Sequence, residues 1–242
     1  MRYVGTRGAW RDDPQPFRAV LLEGLAPDGG LAVPQHYPRF AAETLATLRG
    51  KLYTDIAFAV LSRFITDIAP DDLRAIVDRT YTTAAFGDPR ITPLTTLEPG
   101  LHLLHLSTGP TLAFKDVALQ LLGNLFEYVL RDSARTLNIL GATSGDTGSA
   151  VAHAFHGVPH TRVVVLYPDG RVSPTQEAQL TMFNSEDGNV RALKAHSGKY
   201  KIVAGRPLPE DLLRENPDDV LAGAANLRKQ IENIRLHGVS PV

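Results

Sequence analysis

The feature that most constrains the fold is a glycine-rich loop between two apolar strand patterns. The strands are predicted at residues 136–140 and 162–166, and the loop G-A-T-S-G-D-T-G runs from Gly141 to Gly148. A helix is predicted to begin at Ser149, directly after the loop. Because parallel strands need a crossover of this kind, the pattern predicts a βαβ unit with a buried parallel sheet.

The glycine-rich loop is a candidate anion site. At a helix N-terminus, backbone N–H groups and the hydroxyl groups of Thr143, Ser144 and Thr147 can hold a negatively charged group. No lysine follows the last glycine, and the glycines lack the G-x-G-x-x-G register. ATP phosphate loops and dinucleotide-binding loops are therefore disfavoured. A tight turn that serves only packing remains an alternative.

A second candidate site is Lys115, in the stretch L-S-T-G-P-T-L-A-F-K-D that ends at Asp116. A turn at Gly109 and Pro110 predicts the start of a long amphipathic helix with Thr111 as its N-cap. Lys115 would then lie in the first turn. There the helix dipole disfavours a cation and favours the neutral amine, the form that attacks carbonyl groups. A solvated surface lysine beside Asp116 is the alternative.

Other helices carry packing patterns without a chemical motif. Helices are predicted over Thr54–Ile68, from Pro70 to the turn at Gly87, and from Pro174 with Ser173 and Gln176 as a capping box. The predicted core-facing residues are Ile56, Ala59, Val60, Phe64 and Ile68 in the first helix, Leu73, Ile76 and Val77 in the second, and Phe114, Val117, Ala118, Leu121, Leu122, Leu125 and Val129 in the helix that contains Lys115. The segment Gly24–Pro34 contains a Pro-Asp-Gly-Gly turn and predicts a hairpin or a surface loop.

Composition excludes several functional classes. The 242 residues include no cysteine, which excludes disulfides and thiolate chemistry, and the net charge of −1 gives no electrostatic reason to expect nucleic acid or a membrane as a partner. His102 and His105 fall in a strand pattern on opposite faces, so we predict no metal site. With no signal-like N-terminus and no long apolar stretch, we expect a soluble, cytoplasmic protein that binds a small molecule.

Five stretches resemble, in order, the motifs of threonine synthase over residues 1–187. They read Y-V-G-T-R-G, G-L-A-P-D-G-G-L-A-V-P, G-P-T-L-A-F-K-D-V-A-L-Q-L-L-G, G-A-T-S-G-D-T-G-S-A and Y-P-D-G-R-V-S-P. The resemblance implies an α/β fold of the tryptophan-synthase-β-like kind, fold type II, with an N-terminal α+β region. It also implies a lyase that depends on pyridoxal 5'-phosphate and converts O-phosphohomoserine and water to threonine and phosphate.

The same resemblance assigns roles to the two candidate sites. Lys115 is implied as the catalytic lysine that holds the cofactor. The loop residues implied to bind the substrate carboxylate are Thr143, Ser144, Gly145, Asp146 and Thr147. A carboxylate is also the kind of anion that the loop is suited to hold.

The segment Val190–Val242 resembles instead an internal piece of formate–tetrahydrofolate ligase, with one helix predicted between Asn216 and Gly238. We therefore expect three parts: an N-terminal domain at 1–90, a partial cofactor domain at 91–187 and a foreign helical tail at 188–242. In the synthase family the loop for the cofactor phosphate follows this point, so we expect truncation to impair activity. An inactive chimera and, with less support, a ligase-derived nucleotide or folate binder are the alternatives.

Overall fold

The structure is a computed structural model that describes residues 1–131, 133, 135–143, 145–185, 188–196 and 201–202. The chain divides into two compact units, the first running from Met1 to Ser133 and the second following it. No helix in these described ranges is long and apolar enough to cross a membrane. The domain boundaries expected at residues 90 and 187 were drawn from motif likeness, and they stay predictions.

The first unit combines helices with two small antiparallel sheets. Its elements are β1 (Tyr3–Gly5), α1 (Phe17–Glu23), β2 (Ala32–Pro34), α2 (Ala42–Thr47), α3 (Tyr53–Phe64), α4 (Pro70–Thr80), α5 (Thr83–Phe86), β3 (Leu94–Glu98), β4 (Leu101–Leu104) and α6 (Asp116–Leu130). Strand β1 pairs with β2, and β3 pairs with β4. The Pro-Asp-Gly-Gly segment is therefore a surface turn, closed by the N–H of Gly29 on the carbonyl of Ala26 at 2.8 Å, and it leads into β2.

The core of the first unit lies between α3, α4 and α6. The predicted face of α4 is confirmed, since Leu73, Ile76 and Val77 are all at most 1% exposed. The face predicted over this segment is confirmed at Ile68, which is 4% exposed, and is wrong at Ile56 and Val60, which are each 38% exposed. The residues of α3 that pack on the core are Tyr53, Ala57, Phe58 and Leu61. Helix α3 ends at Phe64, so Ile68 lies in the segment after the helix and does not mark its buried face.

The second unit is built on a four-stranded sheet in the order β5-β6-β7-β8. Its elements are β5 (Leu137–Ala142), α7 (Asp146–Phe155), β6 (Thr161–Pro168), α8 (Pro174–Thr181), β7 (Val190–His196) and β8 (Lys201–Ile202). Strands β5, β6 and β7 are parallel, and β8 is antiparallel to β7. The predicted βαβ unit is confirmed. Helix α7 begins at Asp146, three residues before its predicted start, so the open loop is shorter than expected.

Strand β7 was not predicted, because its residues were assigned to a foreign tail. It lies in register with β6, with Val190 opposite Val163. The side-chain amide of Asn184 donates to the carbonyl of Ala192 at 3.0 Å and accepts from its N–H at 2.7 Å. The residues that start the tail are thus part of the sheet. The helix predicted between residues 216 and 238 lies outside the described residues.

Candidate active site

Lys115 lies at the N-cap of α6 rather than in its first turn, since the helix begins at Asp116. The side chain of Lys115 is half-buried, and its Nζ lies 4.6 Å from the centroid of the Phe114 ring. That separation allows a cation–π contact. Phe114 is itself 59% exposed, so its predicted place in the core face of the helix is wrong, whereas Leu121, Leu125 and Val129 are buried as predicted.

Thr111 does not cap α6, and that prediction is also wrong. Its backbone N–H donates to Asp116 Oδ2 at 2.8 Å, and its hydroxyl donates to Asp116 Oδ1 at 2.7 Å. The Asp116 side chain is fully buried, so these bonds compensate for removing a carboxylate from water. Thr111 thus donates hydrogen bonds to Asp116, the first residue of the helix, instead of capping it. We call these contacts, together with Gly109, the Asp116 clamp.

Gly109 is needed for the clamp to close. A Cβ at this position would lie 2.6 Å from Asp116 Oδ2 and 2.8 Å from Asp116 Cγ. Two residues further on, Leu112 has a φ of +61°, a left-handed conformation that costs a branched side chain energy. Leu112 is also 69% exposed. The turn before Lys115 therefore combines a close approach with a strained backbone.

The structure describes the side chains of Lys51, Lys115 and Lys194, and their surroundings differ. Lys51 is exposed. Lys194 lies 2.6 Å from Glu177 Oε1, and its bond to that carboxylate raises the pKa of the Lys194 amine. A raised pKa keeps an amine protonated and non-nucleophilic. Lys115 is the half-buried lysine at a helix terminus, so its setting is the one that suits an amine nucleophile.

The loop of the second unit folds around the hydroxyl of Thr143. The N–H groups of Gly145 and Gly148 donate to Thr143 Oγ1 at 3.2 and 3.3 Å. The N–H of Thr147 donates to Asp146 Oδ1 at 2.9 Å. The sequence predicted that these N–H groups face a ligand, whereas here they stabilise the start of α7. Since Thr143 Oγ1 accepts both bonds, its own proton is directed elsewhere and can be donated.

Two glycines of the loop allow close packing. A Cβ on Gly148 would lie 2.7 Å from Leu180 of α8 and 2.8 Å from Val165 of β6. A Cβ on Gly145 would lie 2.6 Å from Nε2 of Gln176. These contacts bring α7 onto α8 and β6, and they confirm that the loop has a packing role. They do not exclude anion binding at its outer side.

Gln176 lies next to the loop, although its sequence pattern predicts only a role in capping α8. The predicted capping box is confirmed, because the N–H of Gln176 donates to Ser173 Oγ and the N–H of Ser173 donates to Gln176 Oε1, both at 3.2 Å. The same amide group lies against Gly145. Sequence spacing gives the cap but cannot give this contact, which depends on how α8 packs on α7.

The predicted site residues fall into two groups. Thr143, Gly145, Asp146 and Thr147 are brought together in one turn of the second unit, and Ser144 lies outside the described residues. Lys115 belongs to the first unit. Near the loop, Ser149 is 1% exposed and its Oγ has no hydrogen-bond partner among the described residues. A buried hydroxyl of this kind is costly unless a ligand or water bonds to it.

Comparison with known proteins relates these two groups to one family. The family described as threonine synthase N terminus matches residues 2–81. The threonine synthase of Methylobacillus glycogenes is 51% identical over 197 residues, which is 78% of this chain and 41% of that protein. The enzyme of Corynebacterium glutamicum is 48% identical over 194 residues, or 78% of this chain and 40% of that protein. About four fifths of the chain is similar to threonine synthases.

Solved structures give the same result. The crystal structure of threonine synthase from Brucella melitensis with bound pyridoxal phosphate has a TM-score of 0.72 and 44% identity, covering 80% of this chain and 41% of that one. The yeast threonine synthase has a TM-score of 0.73 and 37% identity, covering 81% and 40%. The expected α/β fold of type II is therefore confirmed. These similarities give the formate–tetrahydrofolate ligase resemblance no support.

The chain spans about two fifths of the length of these relatives. What the whole relatives bind and catalyse is therefore a separate question from what this chain shares with them.

Proposed function

We propose that this chain carries the lysine and the substrate loop of a threonine synthase that depends on pyridoxal 5'-phosphate. The proposed reaction converts O-phosphohomoserine and water to threonine and phosphate. The observation that carries the proposal is the 44% identity and TM-score of 0.72 to the pyridoxal-phosphate-bound Brucella enzyme over 80% of the chain. We propose a cytoplasmic location as well.

The residues present fit the aldehyde group of the cofactor. Lys115 is half-buried at a helix terminus, whereas Lys51 is exposed and Lys194 is held as a cation by Glu177. When bound, pyridoxal phosphate supplies an electron sink for carbanions next to the substrate nitrogen. Lys115 would hold the cofactor through Nζ. Once released from it, the same amine would take and return the protons of the reacting carbons.

The loop before α7 fits the carboxylate of an amino-acid substrate. The hydroxyl proton of Thr143 is available for donation because its oxygen already accepts two N–H groups. We propose that Ser144, Gly145 and Thr147 complete this carboxylate site at the helix N-terminus, with Thr147 binding through its hydroxyl because its N–H is bonded to Asp146. Asp146 would contribute by fixing the N–H of Thr147, since a second carboxylate in direct contact with the substrate carboxylate would repel it.

Reductive labelling tests the role of Lys115. The purified chain is incubated with pyridoxal phosphate and reduced with borohydride, and the modified lysine is identified by peptide mapping. We expect the label at Lys115, with much less at Lys51 and Lys194. The Lys115→Arg variant is the control, and it should lose that label without a change in fold. A label elsewhere at equal strength, or no label, would refute the cofactor proposal.

A second measurement separates binding from turnover. Release of phosphate from O-phosphohomoserine reports the complete reaction, whereas labelling of Lys115 reports only the anchor. A chain that is labelled and releases no phosphate would be the non-catalytic fragment that the sequence analysis left as an alternative. The ligase-derived nucleotide or folate binder has no described residue in its favour, and it predicts a thermal shift with ATP or tetrahydrofolate.

A further inference from the structure

We infer that Asp116 and Thr111 are positioning residues that set the backbone at Lys115, with Gly109 providing the room that they need. This inference rests on the proposed role of Lys115. It goes further, because it assigns a task to two side chains that neither the motifs nor the comparisons assign.

The first step is that Asp116 belongs to a rigid part of the unit. It is the first residue of α6, whose Leu121 and Leu125 are in the core of the first unit. The first turn of α6 is also held by a residue outside the helix, because the hydroxyl of Tyr81 donates to the carbonyl of Val117 at 2.9 Å. A carboxylate at this end of a helix is also favoured by the helix dipole.

The second step is that both oxygens of Asp116 are committed to one residue of the preceding turn. Oδ2 accepts the backbone N–H of Thr111 and Oδ1 accepts its hydroxyl. A buried carboxylate gains most from paired hydrogen bonds of this kind. Lys115 immediately precedes Asp116, so its backbone is fixed between the rigid helix on one side and the pinned residue on the other.

The third step is that the turn would not keep this conformation on its own. Leu112, next to Thr111, has a φ of +61°. A strained residue persists where the surroundings determine its conformation, and such residues cluster at ligand-binding positions. Here the clamp is what determines it, together with the bond from the N–H of Leu112 to the carbonyl of Gly109 at 3.0 Å. A preorganised lysine binds its ligand at a lower entropic cost.

The test compares Thr111→Val with Thr111→Ser. Valine has nearly the shape of threonine but cannot donate from its side chain, whereas serine keeps the hydroxyl. We measure the pyridoxal phosphate concentration that gives half-maximal reductive labelling of Lys115, and the amide exchange rates over residues 109–115. For Thr111→Val we expect about a tenfold higher half-saturating concentration, which corresponds to the loss of one charge-assisted hydrogen bond. Thr111→Ser should stay within about twofold of the parent chain.

A matched control separates positioning from general stability. Thr82 caps α5 in the same unit, where its hydroxyl accepts the N–H of Ala85 at 3.2 Å. Thr82→Val should lower the melting temperature of the chain through loss of that cap. It should leave both the labelling of Lys115 and the exchange at residues 109–115 unchanged. If Thr82→Val raises the half-saturating concentration as much as Thr111→Val does, the clamp is only structural.

The two proposals fail in different ways. If the parent chain takes no label at Lys115, the proposed function fails, and amide exchange still tests the clamp. If the parent is labelled and Thr111→Val shows parental labelling and parental exchange, the positioning inference is refuted and the cofactor proposal stands. The Asp116→Asn variant should show the larger effect, because its NH2 group would face one of the two donors of Thr111.

Discussion

The turn before α6 and the loop before α7 are similar in outline and differ in what holds them. Both contain glycine and both lead into a helix whose first residue is an aspartate. In the first turn, Asp116 is fully buried and reaches back to Thr111. In the second, Asp146 is half-buried and bonds to the adjacent Thr147, while the neutral hydroxyl of Thr143 holds the loop.

This difference separates two ways of preparing a site. A buried carboxylate at the start of α6 opposes the positive end of the helix dipole, which makes an anion harder to bind there. A hydroxyl that accepts two N–H groups orders the start of α7 while keeping a proton to donate. The first arrangement suits an amine that must be held in place, and the second suits a negatively charged ligand.

The largest expected effect is that of Gly109→Ala, which breaks the first turn. The added methyl group would overlap the Asp116 carboxyl, with 2.6 Å to Oδ2, and separate it from Thr111. We expect the free energy of unfolding of the first unit to fall by about 3 kcal/mol, because a buried carboxylate loses partners. Urea unfolding followed by the fluorescence of Trp10, the one tryptophan of the chain, measures this effect.

Ser107→Ala serves as the control for that experiment, since residue 107 is exposed and lies just before the turn. It should leave the transition within about 0.5 kcal/mol of the parent. Equal transitions for Gly109→Ala and the parent would show that the turn can relax around a side chain, and the two turns would then not differ as described.

Gly148→Ala disturbs the second loop only through the added volume of a methyl group. Its methyl group would meet Leu180 at 2.7 Å and Val165 at 2.8 Å. Overpacking of this kind costs about 1–3 kcal/mol, and the better helix propensity of alanine returns up to about 1 kcal/mol. We expect a net loss of about 1–2 kcal/mol, with faster amide exchange in α7 and α8.

Gly141→Ala is the matched control, because a Cβ at that position meets nothing within 4 Å. We expect its stability to stay within about 0.5 kcal/mol of the parent. A loss as large as that of Gly148→Ala would mean that the whole loop rejects side chains, so that close packing at one position is not the cause.

Glu177→Gln tests a charged side chain of the second unit that lies in α8, outside the glycine-rich loop. Bonds from Lys194 and then Tyr167 hold the pKa of Glu177 below its ordinary value of 4.5. A lowered pKa contributes stability that is present above pH 4.5 and is lost as the pH falls through the folded-state value. The melting temperature of the parent should therefore fall more steeply below pH 4.5 than that of Glu177→Gln.

Melting curves between pH 3 and pH 7 by circular dichroism measure this difference, since the range brackets the ordinary pKa of 4.5. Glu43→Gln, at an exposed position in α2, is the control and should follow the parent. If Glu177→Gln also follows the parent through the whole range, the contacts among α8, β6 and β7 do not depend on this carboxylate.

Leu112→Asn has the smallest expected effect and sharpens the account of strain in the first turn. Asparagine tolerates a φ near +61° better than leucine does, and the leucine side chain is mostly exposed, so little packing is lost. We expect a gain of up to about 1 kcal/mol by Trp10 fluorescence. Destabilisation instead would show that Leu112 makes a contact that matters more than its backbone strain.

Local signals account for the parts of the molecule that the sequence predicted correctly. The capping box at Ser173 depends on four consecutive residues, and the buried face of α4 depends on a helix with a clear start at Pro70. The βαβ unit follows from strand, loop and helix patterns in order. The candidate sites at Lys115 and the loop come from distinctive motifs, and their roles stay predictions.

The errors arise where a contact that the sequence spacing does not reveal overrides a local preference. Thr111 has the side chain of an N-cap, yet the buried Asp116 five residues later takes it as a donor. The contact of Gln176 with Gly145 requires α8 to pack on α7, which no spacing along the chain reveals. Strand β7 was missed because a resemblance to another family outweighed its alternation, although its pairing with β6 places it in the sheet.

The position of β7 also determines where this protein can be cut for expression. Strand β6 carries Val163, Val164 and Val165, all at most 4% exposed, and it is paired on one side by β5 and on the other by β7. A fragment that stops before Val190 would leave this valine-rich strand as an open edge, which is a template for aggregation. Fragments that extend through His196 should stay in solution, and shorter ones should precipitate.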